Sequence, residues 1–199
     1  SFSSLAHQVS IQVLSTKGAP LRNVVVFALS EKASQLSAPP KTALMDQKNQ
    51  QFVPHILPIQ KGSNVRFPNS DSIKHHVYSF SDAKTFELKL YKGKSPDPVD
   101  FPNAGVVEMG CNVHDWMLGY IFAVDSPYFD KTDADGNATL NLPSDEYQLG
   151  YWHPRIHEDD LETLMTMKIS GDTTHKFQLT QDLYPDLSGY EDTDENNYD

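Results

Sequence analysis

Apolar residues recur at every second position along most of this chain. Val9, Ile11 and Val13 alternate with polar neighbours, and the same rhythm returns at Phe86, Leu88 and Leu90, at Ala138, Leu140 and Leu142, and at Tyr147, Leu149 and Tyr151. Period two places successive side chains on opposite faces of a strand, whereas an amphipathic helix needs a period of 3.6. No convincing helix of ten residues stands out, so the expected fold class is all-β. Val24 to Leu29 is a continuous apolar run, the pattern of a strand covered on both faces. With Val9 to Val13 and the Lys17-Gly18-Ala19-Pro20 turn it reads as an opening β-hairpin.

Turn residues divide the rest. Residues 30–41, with Ser34, Ser37, Pro39 and Pro40, read as a linker. From Ala43 a series of short strands follows, through Phe52-Val53, Ile56 to Ile59, Val65 to Phe67, the segment after His75, Phe86 to Leu90, Val106 to Met109 and Tyr120 to Val124. Lys92 to Pro102 is a loop rich in Pro and Lys. After Ser126-Pro127 a second organisation begins, with turns at Asp133 to Asn137, Pro143 to Glu146 and Gly171-Asp172, and a last pair of alternating segments at Met165-Met167-Ile169 and Phe177-Leu179.

Charge narrows the function. The formal net charge is −11 and the sequence pI is about 5.0, which argues against nucleic acid and anionic membrane as partners, since both call for a basic face. No apolar run is long enough to span a membrane. Acidic residues crowd the carboxyl end, so 183–199 is expected to be a solvated, disordered tail, with docking to a basic partner surface as the functional alternative. One cysteine excludes an internal disulfide.

That cysteine carries the chemistry. Cys111-Asn112-Val113-His114-Asp115-Trp116-Met117 sets a thiol, an imidazole and a thioether at three-residue intervals. Soft sulfur ligands favour Cu(I), imidazole suits copper in general, and two histidines with one cysteine and a weak methionine form an electron-transfer site. A second histidine must come from elsewhere, and the segment Phe67 to Val77, with His75 and His76, is the best donor.

The C-x2-H-x2-M spacing resembles amicyanin. Phe67, Asn69 and His75 with Val77 are similar to the first-ligand strand of plastocyanin and amicyanin. The chain therefore resembles type 1 copper proteins of the cupredoxin family over 43–126, and His75-His76-Val77 with Cys111-Asn112-Val113-His114-Asp115 resembles the methylamine-utilisation-like members. The resemblance implies a Greek-key β-sandwich, one copper per chain, and His75, Cys111, His114 and Met117 as ligands. His76 stands where plastocyanins have Asn, which leaves the choice of histidine open with His75 preferred. The family implies a periplasmic electron carrier, not an enzyme, with any export signal already absent from this sequence. Its partner would be a cytochrome or a copper or quinone enzyme. Trp116 is expected to be a packing lid over the site.

A second resemblance lies outside that stretch. Thr132-Asp133-Ala134-Asp135-Gly136, then Leu142-Pro143, Tyr147 and Leu149, resemble carboxypeptidase-regulatory-like, transthyretin-type β-sandwich modules, which open with a segment like Val9 to Leu29. The expected organisation is one sandwich built from 1–42 and 127–182, with the cupredoxin domain inserted between. An N-terminal extension followed by a separate small domain is the simpler alternative.

Other readings compete. A lone buried cysteine is often a small hydrophobe, a Cys-His pair serves as nucleophile and base in hydrolases, and zinc accepts the same two donors but leaves the thioether idle. Asp133-x-Asp135-Gly136 lacks the carboxylate that a calcium loop needs at Leu142 and reads as a turn. His153 and His157, with Glu158, Asp159 and Asp160, form a weaker second metal cluster, and His55 with His76 would make an auxiliary copper site if their strands were neighbours. Two functions of other classes stay open: copper sequestration or delivery for resistance, and adhesion or ligand binding by the sandwich.

Overall fold

The computed structural model describes residues 6–39, 41–94, 96–161 and 163–186. The chain falls into two compact units, one formed by 6–36 with 125–185 and the other by 37–124. Both are β structures.

The amino-terminal stretch supplies β1 (Ala6–Leu14), β2 (Val25–Leu29) and the one-turn helix α1 (Glu31–Ser34), capped by the Ser30 hydroxyl accepting from Ala33 N–H. The second unit then runs through β3 (Ala43–Leu44), β4 (Asp46–Lys48), β5 (Gln51–Val53), β6 (Ile56–Gln60), β7 (Asn64–Arg66), β8 (His75–Ser81), β9 (Lys84–Tyr91), β10 (Val99–Asp100), β11 (Gly105–Cys111) and β12 (Leu118–Val124). The chain returns to the first unit with β13 (Phe129–Lys131), β14 (Asn137–Pro143), β15 (Asp145–Trp152), α2 (Glu158–Leu161), β16 (Met165–Ile169) and β17 (Thr173–Gln178).

In the first unit two sheets share one core. Their strand orders are β14-β1-β17 and β13-β2-β15-β16. Val9, Ile11, Val13, Leu140, Leu142 and Phe177 from one sheet meet Val24, Val26, Ala28, Tyr147, Leu149 and Tyr151 from the other side. The expected opening hairpin does not form, because β1 and β2 lie in different sheets. Each finds its neighbours in strands from beyond residue 125: β1 pairs with β14 and in parallel with β17, and β2 pairs with β13 and β15. Nor is all of 183–186 free: Leu183 packs against the core, and Tyr184 N–H donates to the Arg155 carbonyl at 2.8 Å. The remainder of the acidic tail, 187–199, lies outside the described residues.

The second unit has a five-stranded sheet, β6-β12-β11-β8-β9, a three-stranded sheet, β10-β7-β3, and the β4–β5 hairpin. Val77, Val107, Met109 and Ile121 of the larger sheet pack in one core with Phe52, Val65, Phe67 and Phe101. Gly119 admits a close approach here, since a Cβ would stand 2.8 Å from that of Phe52. The alternation expected to end at Leu90 breaks one residue earlier. His75 faces Tyr91 while Val77 faces Leu88, so β9 holds an extra residue, Leu90 turns out to solvent and Tyr91 goes in.

Candidate metal centre

The site starts from the period of two strands. Along β8, His75, Val77 and Ser79 are buried and His76, Tyr78 and Phe80 are not; along β11, Val107, Met109 and Cys111 point inward. Val77 and Cys111 are register partners, so the next inward position on β8 is His75, diagonal to the cysteine. Beyond β11 the chain turns through 112–117. Cys111, His114 and Met117 are buried and the two residues in each interval are exposed. Met117 N–H donates to the His114 carbonyl at 3.0 Å, and Asn112 N–H to the His76 carbonyl at 3.0 Å, which close this loop onto β8.

His75, Cys111 and His114 converge, with one donor atom of each lying within 4.8 Å of the others. The Cys111 Sγ lies 3.5 Å from His75 Nδ1 and 3.7 Å from His114 Nδ1. Metal–sulfur bonds of about 2.3 Å and metal–nitrogen bonds of about 2.0–2.1 Å give S···N edges of about 3.5 Å at tetrahedral and about 3.8 Å at trigonal angles. Both sulfur–nitrogen separations therefore already have the length that a shared metal ion would give them. Met117 is 1% exposed and belongs to the same apolar cluster as Cys111. A thiolate and two imidazoles, with a buried thioether nearby, suit copper in either oxidation state.

The surroundings hold these donors differently. His75 is wholly buried, and its Nε2 lies 2.7 Å from Asp71 Oδ2. Burial pushes the Asp71 carboxyl up, but hydrogen bonds from Gln50 N–H, from His75 and from Asn49 N–H outweigh it and hold the group below the ordinary carboxylate value. A carboxylate only accepts, so Nε2 carries a hydrogen toward Asp71, and Nδ1 is the ring nitrogen turned to the sulfur. Asn69 fixes the loop beneath: its side-chain oxygen accepts from Asp71 N–H, and its amide donates to the Ile73 and Tyr91 carbonyls. Burial pushes the Tyr91 hydroxyl up to about 12, so it stays neutral and donates to the Phe67 carbonyl at 2.6 Å. His114 is 9% exposed, with the Trp116 ring edge-on at 5.2 Å. Trp116 is not the packed lid expected of it, being 58% exposed beside a 50% exposed Val113.

The remaining histidines do not join the site. His76 points to the opposite face of β8 and bonds Glu87 Oε1 of β9 at 2.8 Å. The auxiliary pairing of His55 with His76 is corrected by topology. His55 precedes β6, its ring edge-on to Tyr120 of β12, and β12 and β11 separate β6 from β8. The second cluster fails too. His153 Nδ1 accepts from Arg155 N–H, His157 stacks on Tyr184 at 3.8 Å, and Asp160 is engaged by Thr180 and Gln181. Among the described residues only His75, Cys111 and His114 form a cluster able to hold a metal. Asp71 is the site residue that the sequence reading missed. Its one mark in the sequence is an acid four positions before His75.

No family model matches this chain, and neither does any curated protein sequence. Solved structures do match in part. A reduced amicyanin mutant is 19% identical with a TM-score of 0.38, over 50% of this chain and 98% of that one. A purple cupredoxin from Nitrosopumilus maritimus is 22% identical with a TM-score of 0.35, over 42% and 98%.

Proposed function

We propose that this chain is a type 1 copper protein that carries single electrons between partners rather than catalysing a reaction. The observation that carries the reading is the buried cluster of Cys111 Sγ with the Nδ1 atoms of His75 and His114, both sulfur–nitrogen separations already at coordination spacing. Copper would supply the Cu(II)/Cu(I) couple. Cys111 would bind as thiolate, His75 and His114 would complete the plane, and Met117 would stand as the axial donor. A site set between β8, β11 and the following loop resists rearrangement, which keeps both oxidation states alike in shape and lowers the cost of electron transfer. His114 is the donor nearest solvent, with exposed Val113 and Trp116 beside it, so exchange with a partner would pass through that edge.

In this reading 43–126 is a cupredoxin domain carried within a carboxypeptidase-regulatory-like sandwich, and the protein works in a periplasm with a cytochrome or a copper or quinone enzyme as partner. No helix among the described residues is long and apolar enough to cross a membrane. The test is a visible spectrum on addition of Cu(II). An intense thiolate-to-copper band in the parent that disappears in Cys111→Ser is expected, and a parent without that band overturns the assignment.

A further inference from the structure

We propose that Asp71 is a positioning residue for this centre: its carboxylate fixes His75 with Nδ1 toward Cys111 and, by its charge, favours the oxidised metal. The inference rests on the copper reading for its second half only. The first half concerns the protein without metal.

Three features separate this contact from an incidental pair. His75 is wholly buried, so its Nε2 hydrogen has no access to solvent and depends on the acceptor supplied. Asp71 is itself held from the other side. Asn49 N–H donates to its Oδ1 at 2.6 Å and Gln50 N–H to its Oδ2 at 2.9 Å. Asn49 and Gln50 are the two central residues between β4 and β5, both at positive φ (53° and 60°), as a two-residue type I′ hairpin turn requires. Two successive amides at such a turn converge on one anion. The same hairpin grips the preceding residue, since Asp46 Oδ2 accepts from the Ser70 hydroxyl at 2.6 Å. The β4–β5 hairpin thus orients the carboxylate, and the carboxylate orients the imidazole.

Charge matters apart from orientation. A neutral acceptor would fix the same ring position, but an anion on Nε2–H pushes electron density into the imidazole and strengthens Nδ1 as a donor. The gain is larger toward Cu(II) than toward Cu(I), because the doubly charged ion draws more on a basic nitrogen.

Asp71→Asn keeps shape and removes charge. It is expected to weaken Cu(II) binding by about 10–100-fold, with a smaller loss for Cu(I). Each tenfold of that difference raises the reduction potential by about 59 mV for a one-electron couple. Asp71→Glu, which restores the anion, should recover part of the shift. An Asn variant that shows the thiolate band with parental affinity and potential overturns the charge effect. The orientation is read in the metal-free parent, where two-bond proton–nitrogen spectra should show His75 protonated at Nε2. A ring whose Nε2 carries no hydrogen overturns it, and the measurement needs neither copper nor a folded variant. A parent that takes up no copper but holds the Nε2 tautomer sinks the copper reading and leaves the positioning role standing.

Discussion

The two units are built from the same element and use their interiors in opposite ways. In the unit formed by 6–36 and 125–185 the core is aliphatic and aromatic throughout, and its buried polar groups serve chain geometry. The Thr132 hydroxyl donates to the Leu21 carbonyl and accepts from Val24 N–H, and Asp160 takes the amides of Thr180 and Gln181. The unit at 37–124 instead buries His75, Cys111, His114, Asn69 and Gln47. Desolvating polar groups is costly unless each finds a partner, so a cluster gathered between one strand end, a loop and a neighbouring strand calls for a reason beyond stability. Charge divides the same way. Lys and Arg number nine against eight Asp and Glu over 37–124, but seven against thirteen over the other unit. One unit reads as a scaffold with a uniform core, the other as a holder for an ion.

The sharpest break of that contrast is to exchange the consequences of mutation. Cys111→Ser should abolish the thiolate-to-copper band outright while the metal-free protein stays folded, since the hydroxyl it buries lies beside the ring nitrogens of His75 and His114 as hydrogen-bond partners. Leu149, fully buried in the other core, should behave in reverse. Leu149→Ala is expected to cost about 2–5 kcal/mol, measured by denaturant unfolding, with the copper spectrum intact wherever the protein remains folded. A Leu149→Ala protein that loses the band while still folded would mean that the units do not divide the labour as described.

His76 offers a smaller effect and a finer test. Its side chain is paired with Glu87 on the outer face of β8, both partners in contact with solvent. His76→Gln should change stability by no more than about 0.5 kcal/mol and leave spectrum and potential as they are, whereas His75→Gln removes a donor. An altered spectrum in the His76 variant would reverse the choice between them.

That choice shows where sequence reading stops. Cys111, His114 and Met117 were legible because a single turn brings them inward at three-residue intervals, so spacing alone carries the information. The face of β8 was not. His76, Tyr78 and Phe80 form the more apolar alternation, yet Phe80 is 79% exposed and the buried face is His75, Val77 and Ser79. What decides is Cys111 on the neighbouring strand, a partner that β8 does not encode. Asp71 was hidden for a similar reason: its supports, Asn49 and Gln50, come from a hairpin more than twenty residues upstream. The opening hairpin failed because local alternation does not name a pairing partner, and both β1 and β2 are paired by strands from beyond residue 125. The same pairings bear on the proposed insertion. A fragment of 127–182 alone leaves β14, β15 and β17 without their central neighbours, and it should fold only when 1–42 is supplied in the same tube, as read by circular dichroism.

The smallest expected effect lies in the scaffold unit. His175 on β17 sits edge-on to Phe177 with ring centroids 4.5 Å apart, and burial lowers its pKa from 6.5. The unfolded chain therefore takes up the proton first as pH falls. Stability from this group is whole above the unfolded value of 6.5 and declines as pH falls through the lower folded value, where the imidazole must charge inside the sheet. His175→Gln should flatten that part of the stability profile between neutral and mildly acid pH. The copper band should be indifferent to the substitution, because among the described residues β17 pairs only with β1, a strand of its own unit. A His175 variant whose acid dependence matches the parent's would place the titration elsewhere. A variant that shifted the spectrum would instead tie the scaffold's protonation to the metal centre.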